Sequence, residues 1–130
     1  MENRIHTHNY INQKLCGTPL EVKEGSSRVS LTTTSDMAVD DHDLVHGGFI
    51  FGLADFAAMI AVNDPNVVLG SAEVKFQKPV KVGETVIAVA EGGYGEGKKR
   101  PVQVSVKRDT ETVFEGTFIC FVLDRHVLGD

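Results

Sequence analysis

A single carboxylate, Asp55, stands in an otherwise uncharged run over residues 47–63 that contains no proline. Apolar residues cover every face that a helix over this run would have, and a helix apolar all round is a buried one. An ionised carboxylate there is costly, so Asp55 has a partner, reaches a wet cleft or carries a raised pKa. A carboxylate so placed is a candidate general base or nucleophile. Just before it, His46, Gly47 and Gly48 open the helix. The first N–H groups of a helix lack intrahelical partners, and glycines let a ligand approach those amides closely. The plainer alternative is that the two glycines only turn the chain into the helix, with Asp43 or His46 as an imperfect cap.

These residues need a scaffold, and the rest of the chain predicts one. With 130 residues, 42% of them hydrophobic, the chain is expected to form a single domain over 1–130. Residues 1–16 read as a short helical segment lying on the domain, ended by Gly17 and Pro19, and residues 124–130 as a tail. Residues 21–23 and 29–33 are strand-like, and 34–44 form an acidic, irregular lead-in to the helix. After Asn63-Asp64-Pro65-Asn66 the apolar period changes from helical to alternating, with strands expected over 67–77, 84–92, 102–108 and 112–123. The connections between them are of hairpin length and too short for parallel crossovers, so the sheet is expected to be antiparallel. One buried helix cradled by a long curved antiparallel sheet is an α+β architecture.

Charge narrows the function. The net charge of −5 argues against general nucleic-acid binding. Residues 1–70 carry nine acids against four bases, whereas residues 71–108 carry eight bases against four acids. The second half could therefore hold a polyanionic small ligand, although most such lysines are ordinary solvated surface. There is no uninterrupted apolar run of membrane-spanning length and no signal-peptide core, which predicts a cytoplasmic protein without membrane insertion. Cys16 and Cys120 are too few for a disulfide framework or metal cage and read as buried thiols. His6-x-His8 and His42-x3-His46 lack a third ligand at sensible spacing, so no metal is expected.

The run His46-Gly47-Gly48-x-x-Phe51-x-Leu53-Ala54-Asp55 resembles the signature of hotdog-fold acyl-CoA thioesterases of the phenylacetyl-CoA type. Phe76-x-x-Pro79-x-x-x-Gly83-Glu84-Thr85 resembles the second block of that family. The resemblance implies five or six antiparallel strands wrapped around one long buried helix, a homodimer or dimer of dimers, and a thioester ligand such as acyl-CoA rather than a resident cofactor. Ala72-Glu73-Val74-Lys75-Phe76 and Val113-Phe114-x-Gly116-x-Phe118 are also similar to the hotdog domain with which the malonyl-CoA-responsive repressor of lipid synthesis senses its ligand. That relative binds an acyl-CoA without hydrolysing it and has a neutral amide where this chain has Asp55. Thioesterases of the group often place an asparagine six residues before the signature histidine; here Asp40 occupies that place, and its charge disfavours an anionic ligand. Asp41-x4-His46 has the spacing of a hydratase hotdog dyad, but the accompanying asparagine and proline are missing.

Thioester hydrolysis needs a hydrogen-bond donor at the carbonyl oxygen and a base or nucleophile at the same carbon. Gly47 and Asp55 are eight residues apart on one helix, about 12 Å at 1.5 Å per residue. They cannot serve one carbonyl, so a composite site with the amide from one copy and the carboxylate from another is expected. The expected activity is hydrolysis of an acyl-CoA, with Asp55 as base or nucleophile, the Gly47 or Gly48 amide polarising the carbonyl and His46 shaping the helix start. Lys75, Lys78, Lys81, Lys98, Lys99 and Arg100 are the candidates for CoA phosphates. A binding-only or regulatory module is the alternative, and a hydratase-type hotdog a minor one.

Overall fold

The structure, a computed structural model, describes residues 4–129. Six strands, β1 (Thr18–Lys23), β2 (Ser26–Thr32), β3 (Val67–Phe76), β4 (Thr85–Gly92), β5 (Lys99–Arg108) and β6 (Glu111–Val122), form one sheet around the helix α2 (Gly47–Val62). The strand order is β1-β2-β4-β5-β6-β3, and every neighbouring pair is antiparallel. The architecture is α+β with a curved antiparallel sheet, as expected.

Alternation builds the core. Val86, Ala88 and Ala90 of β4, with Val102, Val104 and Val106 of β5, point inward and are buried. They meet a helix whose Ala54, Ala57, Ala58 and Ala61 are buried, so small side chains let the backbone settle close to the sheet. Leu53, Met59 and Ile60 fill the remaining space, each contributing about 1.5–3 kcal/mol by leaving water. Buried Ser27 is satisfied on the helix itself: its hydroxyl donates to the Ala57 carbonyl at 2.7 Å.

Besides β1, β2 and β5, which each begin three residues earlier than expected, two features differ from the sequence expectation. The N-terminal segment is helical only over α1 (Gln13–Cys16), where Asn12 caps the first turn; residues 4–12 run irregularly, and residues 1–3 lie outside the described part. That irregular stretch is tied down by Asn63, the left-handed residue ending α2. Its amide donates to the Arg4 carbonyl, and its Oδ1 accepts from the His6 N–H, each at 2.7 Å. Side-chain bonds of this kind replace a helical ladder, which apolar spacing alone cannot reveal. The second difference is that residues 77–84, although short, do not close a hairpin. β3 leaves β4 and pairs with β6 at the sheet edge. In the tail, Asp124–Gly129 has no regular structure, and Asp130 is outside the described residues.

Candidate functional site

The start of α2 is held by two separate segments. The His46 N–H donates to the Met37 carbonyl at 2.9 Å, and the Val45 N–H donates to the Val80 carbonyl at 2.9 Å. Asp40 closes the loop ahead of them, its Oδ1 accepting from the backbone N–H groups of His42 and Leu44 at 3.0 and 3.2 Å. Asp40 therefore acts within its own turn rather than as a free carboxylate. Asp41 Oδ1 lies 3.2 Å from Nδ1 of exposed His42, which gives that carboxylate a neighbour other than the His46 of a hydratase dyad.

His46 makes no side-chain cap, so it leaves the first helical amides without a side-chain acceptor. Its ring instead folds back over the exposed Gly48 and meets Phe49 edge-on at 6.0 Å; a Cβ at Gly48 would lie 2.8 Å from Nε2. Gly47 is covered on one side by Phe76, whose ring would stand 3.1 Å from a Cβ there. Beside this glycine lies a groove of about 310 Å³ lined by Val45, Ile50, Phe76, Pro79, Val80 and Val113, with Lys78 also on its wall.

Asp55 lies two turns further along α2, half-buried. Its Oδ1 is shut off from solvent and has no hydrogen-bond partner among the described residues. Burial raises its carboxyl from the usual range to about 6. Burial likewise raises both thiols, with the Asp55 charge as the smaller cause, and carries Cys120 to about 12. Both therefore stay protonated near neutral pH and are poor nucleophiles. Cys120 is buried; Cys16 is only partly so, because it sits in the short α1 at the domain surface.

The inner face of β3 forms an open trough. Register with β6 puts Ala72, Val74 and Phe76 of β3 opposite Phe118, Gly116 and Phe114, and hence on the inner face. α2 packs mainly against β2, β4 and β5, so this edge is left uncovered: Ala72 and Phe76 are exposed and Val74 half-buried. Gly48, Phe51, Gly52 and Asp55 share one helix face. Phe51 turns that face toward the trough, with its ring 5.4 Å from Phe118 and 6.4 Å from Phe114. Nothing lies within 4 Å of where a Gly52 Cβ would be. Alternation on β3 was visible in the sequence, but its pairing with β6, which makes this aromatic wall, was not.

The candidate cations divide between two ends of the molecule. Lys78 and Lys81 stand near the start of α2, Lys81 lining a second cavity of about 580 Å³ with Asp40, Glu84 and Arg108. Lys75 lies in an open groove of about 620 Å³ together with Glu73, Glu91 and Glu115. Lys98 precedes β5 and Lys99 and Arg100 begin it, at the opposite end: Arg100 donates to the Gly93 carbonyl, and Gly93 packs against Val62, the last residue of α2. A helix spanning Gly47–Val62 is about 22 Å long, so one protomer does not bring the two groups together. Lys78 pairs with Glu111 at 3.9 Å and Lys98 with Asp124 at 3.4 Å.

Arg108 is a clamp that sequence reading passed over. It donates to the Pro79 carbonyl at 2.8 Å and to Glu84 at 3.0 Å, and it bonds Glu111. These contacts fasten the groove wall at Pro79 and Val80 to the β5–β6 hairpin and hold the Glu84 carboxyl below its ordinary range, the Lys81 N–H being the largest cause. Among the described residues, no cluster of three histidine, cysteine, aspartate or glutamate side chains is disposed to hold a metal. No described helix is long and apolar enough to cross a membrane.

A long helix inside a six-stranded antiparallel wrap, with glycines at its start and one carboxylate on its open face, is the hotdog arrangement. Residues 42–114 match the thioesterase superfamily profile. The chain is 30% identical over 103 residues to the acyl-coenzyme A thioesterase PaaI of Escherichia coli, covering 75% of this chain and 72% of that one. It is also 29% identical to the transcription factor FapR of Caldanaerobacter subterraneus, over 98% of this chain and 64% of that protein. A methylthioribose-1-phosphate isomerase of Aquifex aeolicus is 50% identical over 97% of this chain, which spans only 28% of the isomerase. An uncharacterized protein from Pyrococcus horikoshii has the same fold throughout, with 52% identity, a TM-score of 0.96 and 98% of each chain covered. The chain belongs to the thioesterase superfamily.

Proposed function

We propose that this protein binds an acyl-CoA or a similar thioester and hydrolyses it to the free acid and thiol. The observation that carries the reading is Asp55: the lone charge of an apolar helix, half-buried beside an open trough, with an unpartnered oxygen and a carboxyl raised to about 6. Such a group is poised to exchange protons near neutral pH. The Gly47 amide of one copy donates to the thioester oxygen, and Asp55 of a second copy takes a proton from the attacking water. Collapse of the adduct breaks the C–S bond, and the proton passes to the departing thiolate. A two-fold pair also covers the trough and the unpaired edge of β3, which are costly to leave in water.

The test is release of free thiol from short, medium, long and aryl acyl-CoAs, run beside sedimentation at micromolar concentration. Turnover of at least one thioester by a dimer or larger assembly is expected; an active monomer would end the composite-site reading. Binding without hydrolysis is the second reading, favoured by the likeness to FapR over 98% of this chain. In either case cations meet the CoA phosphates. Charge reversal at Lys78 and Lys81 together is expected to weaken CoA binding and flatten its salt dependence, as titration calorimetry at several salt concentrations measures. The same reversal at Lys98 and Lys99 asks whether the far end takes part, and unchanged affinity in both variants reassigns these side chains to plain surface.

A further inference from the structure

We infer that Phe76 sets the size of the acyl group this protein accepts, a role that rests on the thioester reading above. Its ring forms the wall nearest Gly47, the residue whose amide would polarise the carbonyl, and it leaves no room for even a methyl group there without a shift. One side of the ring is supported edge-on by buried Phe114, with centroids 5.1 Å apart and planes at 75°, yet the residue remains 57% exposed. Another wall is tethered: Pro79 accepts from Arg108, and Val80 accepts from the Val45 N–H. The Phe76 ring, more than half exposed, has open space to move into.

The groove's volume of about 310 Å³ is at the small end of ligand pockets, which run from about 300 to 1,000 Å³. Its lining is mainly apolar, with Gln77 and Lys78 at its edge. Compact acyl groups, short or branched, fit between the Phe76 ring and Val113, whereas a long straight chain meets the ring.

The experiment measures binding of non-hydrolysable thioether analogues of acetyl-, isovaleryl-, octanoyl- and palmitoyl-CoA to the wild-type protein and to Phe76→Ala and Phe76→Leu. Wild type is expected to prefer the two compact analogues by about tenfold or more, a difference of about 1.4 kcal/mol. Phe76→Ala shifts the preference to octanoyl or palmitoyl, and Phe76→Leu falls between. The leucine variant keeps an apolar side chain over Gly47 and carries the test if truncation to alanine unfolds the chain. Variants that keep the wild-type order of affinities overturn the role of Phe76 and leave the thioester reading intact. A wild-type protein that binds none of the analogues overturns that reading and the role of Phe76 with it.

Discussion

Asp55→Asn is expected to lower thioester turnover by about two orders of magnitude or more while ligand affinity is kept or improved. The amide preserves shape and nearly all packing, so the loss isolates the proton-accepting oxygen. In the parent, activity should rise with pH through about 6, where the carboxyl ionises, and this limb should be missing from whatever activity the variant retains. Stability moves the opposite way. The folded carboxyl holds its proton up to about 6 while the unfolded one gives it up near 3.8, so the folded state binds more protons in that window and loses stability as pH rises through it. Two units correspond to about 3 kcal/mol at most. Asp55→Asn is therefore expected to melt higher than the parent at pH 7 to 8, with the advantage gone below pH 4. A variant as active as the parent removes Asp55 from the chemistry and leaves it a buried structural carboxylate.

Phe118→Ala has the largest expected effect on the fold. Phe118 is fully buried, with its ring against Phe51 and Phe114 at centroid distances of 5.4 and 6.3 Å. Truncating such a ring removes its transfer energy and leaves a cavity, typically about 3–5 kcal/mol. Against a usual total of about 5–15 kcal/mol, this is a large share. The measurement is the urea midpoint, which should fall sharply with little change in slope. A shift under about 1 kcal/mol would mean that the trough closes over the missing ring, and that Phe51 and Asp55 are held by the helix rather than by β6.

Much of this was legible in the sequence because it is local. The apolar run of α2 exposed Asp55 as an anomaly, and the change of period after Asn63 marked the strands. What escaped depends on which distant segments meet. The edge position of β3 follows from its pairing with β6, so the aromatic wall of Phe51, Phe76, Phe114 and Phe118 could not be assembled from spacing. The cations show a related limit. Sequence gives the charge of Lys78, Lys98 and Arg100 but not that Glu111, Asp124 and two loop carbonyls already engage them. The expected N-terminal helix failed for a similar reason, since Asn63, far along the chain, supplies the bonds that hold residues 4–6.

The ionic clamp at Arg108 gives dissolved electrolyte a second target. On the proposed function, salt weakens attraction between CoA phosphates and surface lysines; it also loosens the ion pairs of Arg108, which ties Pro79 to the β5–β6 hairpin. On that reading one wall around the acyl group is tethered by the same kind of force that draws in the nucleotide end. A falling affinity with added salt combines long-range capture with a softened pocket. The two separate by ligand: pantetheine thioesters, which lack the nucleotide phosphates, report the softening alone.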